Sequence, residues 1–504
     1  DIIADKNCKF RIKQILNEVN NRDFESGSPE FLEKQKELFS KYYVISKRII
    51  DSFDDKITDS QKDELMQFNK EYIDFLSVSK TERAFVNNSI ALVEKAGFKN
   101  LSEVTELKPG DKVYSTNKGK NILAFIIGKE PIRNGLNLLG AHIDSPRTDL
   151  KQHPLYESNG LVLLDTHYYG GIKKYQWVAR PMALVGVVVK KDGTVIDINI
   201  GDDDNDPVVG ISDLLIHLAA DQMSKTGAKV VEGEALDVLV GSIPKKDTEK
   251  DPVKAYILDL LKEKYDIEED DFISSEIEVV PAGKARDYGL DRSMIMGYGH
   301  DDKVCAYTSL RAVLDFEGTP DRTACAILVD KEEIGSVGNT GMQSAYFDHV
   351  IAKMLAMQNE SSLVAFNDTM DNSRMLSSDV SAAFDPLYPE VMETKNASFF
   401  GKGICFNKYT GSRGKGGSND ANAEYMAKIR KIMDENDCYF QTCELGKVDV
   451  GGGGTIAYIM ANKNMDVIDA GIAVQNMHAP CEVVSKADVY EAYRAYIAFL
   501  KDMD

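Results

Sequence analysis

Residues 323–336 read TACAILVDKEEIGS. The first part is a short apolar run, which predicts a buried strand, and two neighbouring carboxylates, Glu332 and Glu333, follow where it stops. Successive side chains of an extended chain point to opposite sides. One carboxylate can then grip a ligand while the other faces that ligand from a different direction, so the pair is read as two roles.

The same strand-then-polar pattern recurs on either side. From residue 121, NILAFIIG and NGLNLLGAHID read as strands, the second ending in His142 and Asp144. After about residue 298 the order is helix DKVCAYTSLRAVLDF (302–316), strand TACAILVD, helix QSAYFDHVIAKML, strand LVAFND (363–368), helix DANAEYMAKIRKIM, strand VIDAGIAV and closing helix ADVYEAYRAYIAFL. Strands alternating with helices of this length predict an α/β fold with a mostly parallel sheet flanked by helices. Ligands are then expected at the carboxyl ends of the strands.

Between these halves, residues 150–298 carry the strands ALVGVVVK, TVIDINIG, ALDVLVGSI and SEIEVVPAG around two short helices, DLLIHLAADQMS and DPVKAYILDLLKEKY. This is the pattern of an inserted β-rich domain. Residues 1 to about 100 read as helices, FLEKQKELFSKYYVISKRIIDSF and DELMQFNKEYIDFL, with apolar positions three and four apart. The expected division is a helical N-terminal extension (1–64), one α/β domain in two pieces (65–149 and 299–504) and the inserted domain (150–298).

The chain has 504 residues, 43% hydrophobic and 28% charged. That length exceeds the roughly 250–300 residues at which single cores divide. Lys+Arg number 60 against Asp+Glu 81, a formal charge of −21, which repels a phosphate backbone, so nucleic acid is not an expected partner. Seven cysteines without a CxxC pair read as reduced thiols and predict a cytoplasmic setting. With no run of ~18 apolar residues and no signal-like start, no membrane association is expected.

Of seven histidines, His142 in GAHIDSPR and His478 in AVQNMHAP lie where an apolar strand becomes a loop. Asp301 in YGHDDK precedes a helix, and Asp379 sits in LSSDVS. Each has an ordinary structural reading alone, Asp301 as a helix cap and Asp379 as a loop residue. Together with Glu332 and Glu333 they make a set of imidazole and carboxylate donors able to hold two divalent ions. Such donors suit zinc, cobalt or manganese, and a metal pair activates one water for attack on a carbonyl. GSRGKGGS (411–418) lacks the ending of a phosphate loop, and DDDNDP (202–207) has Pro207 where a calcium loop needs glycine, so neither adds a ligand.

GAHIDSPR, HDDK, DKEEIGS, SSDVSAAFDP and NMHAP, in this order and spacing, resemble the aspartyl aminopeptidase and vacuolar aminopeptidase I family of dinuclear metallo-aminopeptidases from about residue 65 to the C-terminus. The resemblance implies a zinc-peptidase-like catalytic domain and an inserted dimerisation or assembly domain. It implies two metal ions per subunit, one on His142 and Asp379, the other on His478 and Glu333, bridged by Asp301. Glu332 is then the unligated general base toward the metal-bridging water, Asp144 an orienting carboxylate, and the Asp301–Asp302 peptide cis. His217 is the residue delivered into a neighbouring subunit's site to stabilise the oxyanion. Members of the family differ in preferring acidic or neutral N-terminal residues, and Lys408 is the candidate for the cation that an acidic preference would need. Peptide substrates and a homo-oligomer, a tetrahedral dodecamer, are likewise implied. The residues alone also admit a metal-dependent N-acyl amino acid deacylase or a non-catalytic shell-forming protein.

Overall fold

Nine strands form the central sheet: β1 (Lys99–Asn100), β2 (Lys112–Asn117), β3 (Asn121–Ile126), β4 (Leu136–His142), β5 (Thr323–Val329), β6 (Arg374–Ser377), β7 (Ile404–Asn407), β8 (Phe440–Thr442) and β9 (Asp466–Gly471). They lie in the order β1-β2-β3-β5-β4-β6-β9-β7-β8. The computed structural model describes residues 59–412 and 414–504, so the helix expected over 31–53 lies outside the described residues.

The middle of this sheet, β5-β4-β6-β9, is parallel. Antiparallel pairs occur toward both sides, β2 with β3, β3 with β5 and β7 with β9, so the sheet as a whole is mixed. β4 and β5 are buried at every residue, as strands covered on both faces must be. Their side chains alternate between two cores. Leu139 and Ala141, with Ala324, Ala326 and Leu328, pack beneath the helices Asp59–Val78, Glu82–Lys95, His300–Leu314, Ala423–Glu435 and Lys486–Asp502. Leu136, Leu138, Cys325, Ile327 and Val329 face the other way, toward the helices Tyr346–Met357 and Ala457–Ala461.

A second sheet of seven strands is drawn entirely from residues 147–281, and all its pairings are antiparallel. It begins with the hairpin Arg147–Ser158 and Leu161–Tyr169, and its core includes Trp177, Val188 and Val279. A third, five-stranded sheet joins Met294–Gly297 to Glu482–Ser485 and brings Ala473–Gln475 beside them.

Two expected elements differ. LVAFND is not a strand but the start of the helix Leu363–Asn372, whose first turn is capped by Ser362 accepting the Ala365 amide at 3.0 Å. Its buried Ala365 and Thr369 fall four apart, a helical spacing, while Leu363 and Val364 are exposed. The strand sits later, at Arg374–Ser377. DLLIHLAADQMS forms only a 3-10 turn, Ile216–Leu218, and a single α-turn, Ala220–Met223. Its Leu214, Leu215, Ile216, Leu218 and Met223 are exposed, so no apolar face is packed inward to support a longer helix. Among the described residues no helix is long and apolar enough to cross a membrane.

Leu139 is fully buried three residues before His142. Leu139→Ala is expected to cost about 2–5 kcal/mol of stability, read as a lowered midpoint in urea unfolding.

Candidate metal centre

β4 ends at His142 and β5 at Val329, and these two residues are register partners. Neighbouring parallel strands that stop together open their carboxyl ends onto one place. β6 stops at Ser377, two residues before Asp379. Asp301 stands in the first turn of the helix His300–Leu314, entered through left-handed Gly299 (φ 77°), and its peptide bond to Asp302 is cis. His478 follows the strand Ala473–Gln475 and is itself left-handed (φ 65°).

The two glutamates are not on extended chain. Lys331 is left-handed (φ 71°), and Glu332–Ile334 form a 3-10 turn closed by Gly335 (φ 95°). Their divergence therefore arises from the turn. Glu332 Oε2 lies 3.9 Å from His142 Nε2, whereas Glu333 Oε1 lies 3.6 Å from His478 Nε2. Asp144 fixes this turn: its Oδ1 accepts the Glu332 amide at 3.1 Å and its Oδ2 the Glu333 amide at 3.2 Å.

Asp301 lies between the histidines. Its Oδ1 is 3.1 Å from His142 Nε2 and its Oδ2 is 3.2 Å from His478 Nε2. Asp379 Oδ1 is 3.9 Å from His142 Nε2. Each imidazole is anchored through its other nitrogen, His142 Nδ1 to the Asp144 carbonyl at 3.0 Å and His478 Nδ1 to the Gly171 carbonyl at 2.7 Å. That leaves both Nε2 atoms directed at the carboxylates. His142, Asp301, Glu332, Glu333, Asp379 and His478, expected from distant parts of the sequence, are thus brought together.

Sequence reading missed three contributors. Glu482 accepts the amides of Asp301 (3.0 Å) and His478 (2.8 Å); its place four residues after His478 was the available signal. Asp302 accepts the His142 amide at 3.3 Å and offers a ligand atom grouped with His142 and Asp379. The third is the Tyr169–Gly171 segment, whose phenol donates to Asp144 Oδ2 at 2.8 Å. Two predicted residues are not in this cluster. His217 is exposed on its short turn. Lys408 pairs with Asp420, which also holds Lys415.

The electrostatics follow from burying many carboxylates beside two imidazoles. Burial raises Glu333 and Asp379 well above the ordinary carboxylate range, reinforced by neighbouring acids. Burial, with the charges of Asp144 and Asp301, pushes Glu332 up to about 7 against the pull of His142, and burial beside Asp301 pushes Glu482 up to about 8. His478 moves the opposite way: burial disfavours its cation, but Asp301 and Glu333 outweigh this and raise it to about 10. Asp301 is held below the ordinary value in spite of its burial, because both imidazoles favour its charged form.

These residues fit divalent ions. Glu333 Oε1 and Asp302 Oδ1 are buried without a hydrogen-bond partner, which is costly unless a cation satisfies them. Ligand atoms of His142, Asp301 and Glu333 lie within 4.8 Å of one another, as do those of His142, Asp302 and Asp379. The nitrogen and oxygen donors are of the kind that zinc accepts.

A model of the aminopeptidase I zinc metalloprotease family, M18, matches residues 75–500. A Clostridium acetobutylicum protein named a probable M18 family aminopeptidase 1 is 55% identical over 453 residues, spanning 89% of this chain and 97% of that protein. The crystal structure of an M18 family aminopeptidase from Thermotoga maritima is 44% identical, with a TM-score of 0.85 over 88% of this chain and 97% of that one. The S. cerevisiae mApe1 dodecamer, 21% identical, shares the fold at a TM-score of 0.70 over 85% of this chain and 95% of that one. The chain belongs to the M18 aminopeptidase I family of zinc metalloproteases and is a metal-dependent aminopeptidase, a hydrolase of the exopeptidase kind.

Proposed function

We propose that this aminopeptidase removes N-terminal residues from peptides at a dinuclear centre, with His142 and Asp379 on one ion, His478 and Glu333 on the other, Asp301 shared by both, and Glu332 as general base. The observation that carries this reading is the Asp301 carboxylate, whose two oxygens lie 3.1 and 3.2 Å from the Nε2 atoms of two different histidines. Two zinc ions, or cobalt or manganese, would supply Lewis acidity that polarises the scissile carbonyl and makes a water acidic at neutral pH.

The chain's own residues do the rest. Glu332 points to the His142 side of the cluster at 3.9 Å, a carboxylate free to take a proton from the attacking water and return it to the leaving amine nitrogen. Asp144 holds the amide of Glu332 and so sets where that carboxylate stands. His217 is the donor to the developing oxyanion, offered to the site of a neighbouring subunit. Its exposure, amid exposed Leu214, Leu215, Ile216 and Leu218, supports a role completed by another copy. Residues 150–298 then form the inserted assembly domain and 65–149 with 299–504 the catalytic one, in a homo-oligomer. The dodecameric state of the S. cerevisiae structure supports a tetrahedral dodecamer here. The net charge of −21 supports peptide rather than nucleic-acid partners, and the free cysteines support a cytoplasmic setting. Lys408, already paired with Asp420, is available to an acidic substrate only by giving up that ion pair.

Glu332→Gln should retain both ions and lower kcat by orders of magnitude, whereas Glu333→Ala should lose ion content, both read by elemental analysis beside peptide hydrolysis. The opposite pattern would exchange the two roles. Chelation should abolish hydrolysis and added zinc, cobalt or manganese restore it. Glu332→Gln and His217→Ala subunits, each inactive alone, should regain activity when co-assembled, because some sites then receive both native residues. No recovery in the mixed oligomer would place His217 outside its neighbour's site.

A further inference from the structure

The hairpin that opens the seven-stranded sheet reaches the metal centre at three consecutive residues. Tyr169, the last residue of its second strand, is the register partner of Arg147 and donates its phenol to Asp144 Oδ2 at 2.8 Å. The Tyr169 ring is pinned from the other side by the Arg147 guanidinium, 3.9 Å from its centroid. Arg147 is in turn fixed by Asp149 at 2.7 Å, Glu278 at 3.2 Å and Glu82 at 3.7 Å. Gly170 is left-handed (φ 75°), and a Cβ there would stand 3.1 Å from Glu333 Oε2. The Gly171 carbonyl accepts from His478 Nδ1 at 2.7 Å.

We propose that Tyr169, Gly170 and Gly171 are positioning residues through which the seven-stranded sheet sets the geometry of both ion sites. The inference rests on the dinuclear reading and extends it to residues outside the ligand set. Asp144 accepts from the Glu332 amide, the Glu333 amide and the Tyr169 phenol, three of the roughly four lone-pair sites that a carboxylate offers. Three donors on its two oxygens hold the carboxylate plane, and with it the turn hung from it. Gly171 holds the Nδ1 proton of His478 and thereby leaves Nε2 as the lone pair aimed at the centre. Gly170 leaves room for the Glu333 carboxylate where any side chain would crowd it.

The test keeps the full-length oligomer and compares Tyr169→Phe, Gly170→Ala and Glu333→Ala with the parent. Zinc affinity is measured by competition with a chromogenic chelator, kcat and KM at saturating zinc, and thermal unfolding on metal-free protein. Tyr169→Phe keeps the ring and its stacking on Arg147 and deletes one donor. It should weaken zinc binding by about 10- to 100-fold and lower kcat, with KM and the metal-free unfolding temperature unchanged. Gly170→Ala should weaken chiefly the ion that Glu333→Ala loses. Parental zinc affinity in both Tyr169→Phe and Gly170→Ala, with an ion lost in Glu333→Ala, overturns the positioning role and leaves the dinuclear reading standing. A fall in the metal-free unfolding temperature of Tyr169→Phe that accounts for its weaker binding also overturns it, because the phenol then serves folding rather than the site. Retention of both ions by Glu333→Ala removes the dinuclear reading and the positioning role with it.

Discussion

One carboxylate organises this centre. Asp301 has two oxygens, and each faces a different imidazole at hydrogen-bonding distance, so its own placement decides whether His142 and His478 address one site. That placement is heavily constrained. The Asp301 amide is held by Glu482, and its carbonyl accepts the Ser145 hydroxyl at 2.6 Å. Ser145 is in turn within hydrogen-bonding distance of the buried Lys303 amine. The histidines lie far apart in the chain, one on β4 and one near the C-terminus, so three separate pieces of the fold meet at one side chain.

The surroundings carry the cost of that meeting. Asp301, Asp302, Glu332, Glu333, Asp379 and Glu482 gather around two imidazoles, an excess of acid that burial penalises. Beside it, the buried Arg147 guanidinium supplies a counter-charge to Glu82 and Glu278. In the centre Glu333 Oε1 and Asp302 Oδ1 lack a hydrogen-bond partner, and the nearest imidazole to Glu333 Oε1 stands 3.6 Å away. Removing one ligand therefore alters the whole balance of charge, because the remaining acids lose a shared counter-charge rather than a single contact.

The parts legible in the sequence were those with short-range causes. Apolar runs ending in His142 and just before Glu332 marked strand ends, and β4 and β5 do end side by side. LVAFND misled because Leu363 and Val364 look like strand interior, yet they lie exposed on a helix begun by the Ser362 cap, while the less conspicuous RMLS became the strand. The glutamate pair was expected to diverge by strand alternation and diverges instead through a turn that starts at left-handed Lys331. Glu482 and Tyr169 were illegible in a different way. Their contribution is a hydrogen bond to another residue's backbone or carboxylate, which for Glu482 is marked only by its spacing from His478 and for Tyr169 by nothing local in sequence.

Asp144 accepts the amides of both Glu332 and Glu333. The proposed base and the proposed ligand are thereby mounted on one bracket, and thermal displacement of the turn moves them as a unit. Their relative spacing is insulated from fluctuations of the β5 loop even where their absolute position is not. Substitutions across that turn are correspondingly pleiotropic: a change that improves the reach of one carboxylate displaces the other. Variation among descendants of this sequence should therefore accumulate around the bracket rather than within it.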